Sequence, residues 1–102
     1  MLFLLNYRFL LFFVPDNPYN LVLFPNPINR SDINIAYQLT KNSYVQLSIE
    51  DAIGRVVLKL KDEQETPGTY GEKINIDVLA AGVYFFTANI NGQVQTIKFI
   101  KT

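Results

Sequence analysis

The chain has 102 residues, of which 49% are hydrophobic, and its nine Lys and Arg balance nine Asp and Glu. This length suits one domain with a single two-layer core, and the zero net charge disfavours nucleic acid or an anionic membrane as a general partner. Because the chain has no Cys and no His, it cannot form disulfides, a Cys/His zinc site, a thiol nucleophile or an imidazole base. We therefore expect a domain that is not an enzyme and has no cofactor and no small-molecule substrate.

Residues 1–14 form an apolar leader that is interrupted by Asn6 and Arg8. A membrane-spanning helix needs about 20 apolar residues, so we expect no stable span here. A secretory signal would carry its positive charge before the apolar stretch, whereas Arg8 lies inside it. Three interpretations stay open: a degraded or truncated signal, a strand left from a preceding domain, or sequence upstream of the functional unit.

A joint rich in Pro and Asn separates the leader from the domain proper. Residues 15–20 contain the turn-forming run Pro15-Asp16-Asn17-Pro18 and are interpreted as a linker, so that the domain covers residues 21–102. The first apolar run of the domain ends at Pro25-Asn26-Pro27. This rigid, extended segment can close an edge strand but cannot lie inside a central one.

The first half of the domain alternates apolar and polar residues with a period of two, which predicts strands with one face in the core. The alternation covers residues 33–39 and 45–49, and a return strand follows over 56–60. Between the last two, Asp51-Ala52-Ile53-Gly54 fits a type I turn that is closed by a left-handed glycine.

The return strand is expected to point Lys59 and Lys61 outward. Residues 61–68 contain three acidic side chains and no apolar one, which predicts a solvated loop. Carboxylates in such a loop would titrate normally, so acid/base catalysis by them is disfavoured.

The second half of the domain predicts three more strands. Ile74, Ile76 and Val78 share one parity and support a strand that ends at the turn Leu79-Ala80-Ala81-Gly82. Residues 83–86 are apolar at both parities, as expected for a central strand. The dipeptide Asn91-Gly92 predicts a hairpin into the last strand. Together the pattern predicts an all-β, antiparallel fold of about seven strands, either an immunoglobulin-like sandwich or a small barrel.

Two surfaces are candidates for binding. The terminal strand can be a closing strand guarded by its lysines, or a strand that a receptor reads by β-augmentation. Tyr19, Tyr44 and Tyr70 lie at strand ends, where a sugar could stack, although no coplanar row is visible in the sequence. A non-catalytic adhesion or carbohydrate-binding module is therefore an alternative function.

Three landmarks stand in order along the chain: Pro25-Asn26-Pro27, Asp51-x-x-Gly54-Arg55, and Leu79-Ala80-Ala81-Gly82-Val83-Tyr84-Phe85. Their order, followed by a short strand pair, resembles the C-terminal sorting domain of the type IX (Por) secretion system of Bacteroidetes-type bacteria. The resemblance implies a seven-stranded, antiparallel immunoglobulin-like β-sandwich with Greek-key character, which serves as a transport address. It implies structural roles for the landmark residues, among them Asp51, Gly54, Arg55, Gly82 and Tyr84.

The same resemblance implies the partners and the route. The secretion translocon would recognise the terminal strand, for which the candidate contacts are Ile97, Lys98, Phe99, Ile100 and Lys101. A cell-surface sortase would cut in the linker 15–20, and the attached cargo would reach the cell surface or the medium through the periplasm and the outer membrane. The sequence leaves the identity of that cargo open.

Overall fold

The computed structural model describes residues 17–25 and 31–102. The leader 1–14, Pro15 and Asp16 of the linker, and Asn26 and Pro27 of the first landmark lie outside the described residues. The described part forms seven strands: β1 (Val22–Phe24), β2 (Asp32–Leu39), β3 (Ser43–Asp51), β4 (Val56–Glu65), β5 (Gly68–Asn75), β6 (Gly82–Ile90) and β7 (Gln93–Lys101).

The strands pair antiparallel in two sheets. One sheet has the order β1-β2-β5, and the other has the order β4-β3-β6-β7. The hairpins β3-β4 and β6-β7 stay within one sheet, whereas the chain changes sheet between β2 and β3, between β4 and β5, and between β5 and β6. This arrangement confirms the predicted all-β, immunoglobulin-like sandwich with Greek-key character. Among the described residues, no helix is long and apolar enough to cross a membrane.

The core lies between the two sheets and follows the predicted alternation. Each inner strand turns every second side chain inward, so that the outward faces keep polar residues. Burial of each large apolar side chain stabilises the fold by about 1.5–3 kcal/mol. The largest fully buried side chains come from both sheets and from the loop that follows β5: Tyr37, Phe86, Phe99, Ile33, Ile35, Leu47, Ile49, Ile76, Ile90 and Val45.

The prediction of a solvated loop over residues 61–68 is wrong. Strand β4 continues to Glu65, and β5 begins at Gly68. The outward orientation expected for Lys61 is wrong as well, because a register shift between Leu47 and Ser48 inserts one extra residue into β4. Lys61 thereby pairs with Leu47, whose side chain faces the core, and Lys61 shares that inward face.

Lys61 is the centre of a polar cluster that joins the edge strands of the two sheets. Its ammonium group donates to Glu65 Oε2 at 2.6 Å and to Tyr37 Oη at 3.1 Å, and it also donates to Glu72 Oε2. Tyr37 Oη donates in turn to Glu65 Oε1 at 2.7 Å. The Tyr37 and Tyr70 rings stack at 5.3 Å, and the ammonium lies 5.7 and 5.5 Å from their centroids. These contacts hold β4 against β2 and β5.

Burial and hydrogen bonding change the acidities in this cluster. Burial, together with the hydrogen bond to Glu65, raises the pKa of Tyr37 well above its ordinary value. Burial alone would lower the pKa of Lys61, but the hydrogen bonds to Glu65, Glu72 and Tyr37 outweigh it, and the pKa of Lys61 is raised. The cluster therefore holds a charged lysine and a neutral tyrosine.

The strand predicted around Ile74, Ile76 and Val78 ends earlier than its parity indicates. Strand β5 stops at Asn75, whose Oδ1 accepts a hydrogen bond from the Asp77 amide at 3.0 Å and so starts a turn. Ile76 still reaches the core, whereas Val78 is 76% exposed. Residues 76–81 form the loop that crosses from one sheet to the other.

Tyr84 closes this loop from the start of β6. Its hydroxyl donates to the Ala80 carbonyl at 2.7 Å, and its ring stacks on Phe99 with centroids 5.7 Å apart. A tyrosine near the start of the sixth strand that bonds back to the preceding corner is the tyrosine corner of immunoglobulin-like sandwiches.

We expect Tyr84→Phe to lower the free energy of unfolding by about 1–2 kcal/mol, because the Ala80 carbonyl loses its partner while the ring stays stacked. Urea unfolding of both proteins, followed by far-UV circular dichroism, measures the difference. Tyr44→Phe is the matched control, because the Tyr44 hydroxyl binds Asp62 at the surface. An equal loss in both variants would contradict a special role for the corner.

Candidate functional site

The predicted contact segment of β7 divides into inward and outward side chains. Phe99 is fully buried, and Ile97 packs against the core. Lys98 and Ile100 lie on the opposite, exposed face of the strand, where Ile100 is 42% exposed. Of this segment, only these two side chains are exposed.

Lys101 is engaged by the fold itself. Its ammonium group donates to the Leu79 carbonyl at 2.6 Å, and the residue is half-buried. The end of β7 is thus tied to the same loop that Tyr84 closes through Ala80. Sequence reasoning treated Lys101 as a surface lysine, because no pattern in the chain indicates a backbone acceptor 22 residues away.

The turn between β3 and β4 contains the second landmark. The Asp51 carboxylate accepts hydrogen bonds from the backbone amides of Ile53 and Arg55 at 3.0 and 2.9 Å, and from Arg55 Nε at 2.8 Å. These contacts, led by the Arg55 amide, hold the pKa of Asp51 below its usual range. Gly54 has a φ of 90°, which confirms the left-handed glycine expected in this turn.

Gly82 opens β6 in the third landmark. Its φ of 157° lies in a region that L-residues with a side chain rarely adopt, so the turn of the chain into β6 requires glycine. Asp51 pairs with Tyr84 across β3 and β6, and a shallow cavity of about 260 Å³ lies between the second and third landmarks. Its lining comes from both of them: Asp51, Ala52, Ile53, Arg55, Gly82, Val83 and Tyr84.

Strand direction brings Pro25 of the first landmark, the second landmark and the third landmark to one end of the sandwich. Because the paired strands alternate in direction, β1, β3, β5 and β7 end where β2, β4 and β6 begin. We call this the landmark end. It comprises Phe24 and Pro25, the turn 52–55, the loop 76–81 and the end of β7 at Lys101.

Glu50 and Tyr44 form hydrogen bonds within the fold. Glu50 accepts hydrogen bonds from Ser48 at 2.6 Å and from Thr87 at 2.6 Å. Tyr44 donates to Asp62, and this hydrogen bond raises the pKa of Tyr44. Within residues 17–25 and 31–102, no three acidic side chains gather as a metal site.

The three strand-end tyrosines do not share a face. Tyr70 stacks on Tyr37 at the β4-β5 side, and its hydroxyl donates to the Thr66 carbonyl at 2.6 Å. Tyr19 packs against the core near Ile90, and Tyr44 lies exposed on the outer face of the four-stranded sheet. The described geometry therefore offers no single row of rings.

In this immunoglobulin-like sandwich, the second and third landmarks and the end of the last strand meet at one end, and the carboxylates of Glu50, Asp51 and Glu65 are held by hydrogen bonds within the fold. A family model described as secretion system C-terminal sorting domain matches residues 22–102. The chain belongs to this family, the C-terminal sorting domains of type IX secretion. Among curated proteins there is no significant match. Membership implies export to the cell surface or the medium and interaction with the secretion system.

Proposed function

We propose that this chain is an address that directs an attached cargo through the outer-membrane type IX translocon. The family match over residues 22–102 is the observation that carries the proposal. Within the domain, we assign the contact with the translocon to the segment Ile97, Lys98, Phe99, Ile100 and Lys101 of β7.

The contact residues have two roles. Lys98 and Ile100 face outward and would touch the translocon directly. Ile97 and Phe99 anchor the strand in the core, and Lys101 ties its end to Leu79. Because the inward side chains fix the strand, the outward ones are presented without a large loss of conformational entropy on binding.

Removal of the domain by a cell-surface sortase is the second part of the proposal, with the cut in the linker 15–20. Part of this stretch is held by the sandwich. Asn17 Oδ1 accepts from the Leu21 amide at 2.9 Å and from Gln95 Nε2 at 2.9 Å, and the Tyr19 carbonyl accepts from the Gln38 amide at 2.8 Å. A cut after Asn17 would first require these bonds to open.

The test places the full chain behind a periplasmic reporter in a bacterium with a type IX system. We expect the double variant Lys98→Glu/Ile100→Asp to lower the cell-surface fraction of the reporter by about tenfold or more, the loss typical of one binding hot spot. Both substitutions are on the exposed face, so the domain should stay folded.

The matched control is Lys41→Glu/Val22→Asp, which makes the same charge changes at an exposed lysine and an exposed aliphatic residue outside β7. Surface labelling and fractionation of the periplasm measure both variants, and circular dichroism of the purified proteins verifies folding. Wild-type export of the β7 variant would contradict the contact assignment. Export that persists in a strain without the translocon would contradict the address itself.

A further inference from the structure

Apolar side chains are exposed on several separate segments at the landmark end. Ile53 in the β3-β4 turn is 77% exposed, Val78 in the loop 76–81 is 76% exposed, and Phe24 at the end of β1 is 51% exposed. The turns at the opposite end of the sandwich are polar instead, with Lys41-Asn42, Thr66-Pro67 and Asn91-Gly92 at their tips. Single exposed apolar residues are normal, but a set brought to one end from three segments indicates a contact surface.

The turn that carries Ile53 is held in one conformation. Asp51 accepts three hydrogen bonds within the turn, and the Gly54 amide donates to the Asp51 carbonyl at 3.0 Å. The loop that carries Val78 is fixed by Lys101 at Leu79 and by Tyr84 at Ala80. The backbone that carries Ile53 and Val78 is therefore preorganised, which lowers the entropy cost of binding.

Arg55 supplies the charge of this surface. Its side chain is 74% exposed, and within the described residues only its Nε is engaged, by Asp51. The backbone amides of Ile53 and Arg55 hold the Asp51 carboxylate within the β3-β4 turn. The charged group that faces outward is therefore the guanidinium fork of Arg55. Such a fork matches a carboxylate, which it can bind through two parallel N–H donors.

We propose that the landmark end is a second docking surface for a protein of the secretion machinery, one that presents an apolar area with a carboxylate opposite Arg55. The inference rests on the proposed function and adds to it, because Ile53, Arg55 and Val78 lie outside the β7 segment. Recognition then requires both the last strand and the turn between β3 and β4, which a short terminal peptide would not supply.

The experiment uses the full chain behind the same periplasmic reporter, with Ile53→Asp and Arg55→Glu as separate variants. Each is expected to lower the surface fraction about tenfold, the effect of losing one anchoring contact. Arg55→Lys keeps the charge and is expected to restore part of the export, whereas Arg55→Gln is not. The matched controls are Val94→Asp, an exposed apolar residue near the start of β7, and Lys41→Glu at the opposite end. Thermal unfolding of the purified variants identifies any loss of folding.

The outcomes separate the two proposals. Wild-type export of both Ile53→Asp and Arg55→Glu, alongside lost export of Lys98→Glu/Ile100→Asp, overturns the second surface and leaves the address standing. Wild-type export of all of these variants overturns the docking surface and the β7 contact together. If Val94→Asp and Lys41→Glu reduce export as much as the landmark-end variants do, the effect is general and the second surface is overturned. If Ile53→Asp and Arg55→Glu unfold while the controls stay folded, the test uses Val78→Asp in the neighbouring loop. Reduced export of Val78→Asp then supports the second surface, and wild-type export overturns it.

Discussion

Phe99→Ala is expected to lower the free energy of unfolding by about 3–5 kcal/mol, the cost of removing a buried aromatic side chain. Phe99 is fully buried and stacks on Tyr84, although it lies on β7, an edge strand of the four-stranded sheet. A domain of this size has about 5–15 kcal/mol of stability in total, so this one substitution removes a large part of it. Urea unfolding of both proteins measures the difference.

Ile100→Ala is the control for this prediction, because the neighbouring side chain points outward and should change stability by only about 0.5 kcal/mol. Similar losses in the two variants would contradict the inward and outward assignment of β7. Because Phe99 and Ile100 differ in this way, truncation of β7 does not separate loss of the translocon contact from loss of folding. Deletion of residues 98–102 removes Phe99 together with Lys98 and Ile100, so lost export could reflect an unfolded domain.

Local chemistry made much of the fold predictable. The turn at Asp51-Ala52-Ile53-Gly54 and the hairpin at Asn91-Gly92 depend on residues next to each other in the chain, and both form where expected. The alternation over 33–39 and 45–49 likewise gave the inward residues of β2 and β3. Period-two patterns are reliable here because one face of each sheet is buried.

The errors at Lys61 and Glu65 arose because the outcome depends on a partner that is distant in the sequence. A bulge in β4 reversed the alternation of inward and outward side chains after Lys59, and only the pairing of Lys61 with Leu47 reveals it. Lys61 and Glu65 looked solvated because the sequence does not show that Tyr37, 24 residues before Lys61, completes their hydrogen bonds. The error at Val78 has a local cause instead, because the Asn75 side chain accepts a hydrogen bond from the Asp77 amide and starts a turn before Val78.

The candidate site was only half predictable for the same reason. The order of the landmarks can be read along the chain, and their glycines indicate tight turns. Their meeting at one end follows from seven strands alternating in direction, which is a property of the complete topology. The hydrogen bond from Lys101 to the Leu79 carbonyl also depends on the complete topology, because it forms only when β6 and β7 are paired.

Lys61→Met is expected to destabilise the domain by about 3 kcal/mol, although methionine fills a similar volume. Removing the ammonium leaves Glu65, whose side chain is 6% exposed, as a buried charge without its cation. The Glu72 side chain is 29% exposed, so water can solvate its charge when the ammonium is removed. The expected loss of stability is therefore at the lower end of the range for broken buried ion pairs. Lys59→Met, which changes an outward lysine of the same strand, should alter stability by about 0.5 kcal/mol or less.

The pH dependence of stability distinguishes loss of the charge network from loss of packing. The pKa values of Lys61 and Tyr37 are raised in the folded state, so above about pH 10, where unfolded tyrosine and lysine begin to lose protons, the folded protein binds more protons than the unfolded one. The free energy of unfolding must then fall as the pH rises further, whereas below about pH 10 the contribution of both groups is fully present. Lys61→Met lacks one of these groups, so its stability should fall less steeply between about pH 10 and 12 than that of the wild type. Urea unfolding at several pH values measures the two slopes. Parallel slopes would mean that the lysine contributes through its aliphatic chain, and that the ammonium does not hold the two sheet edges together.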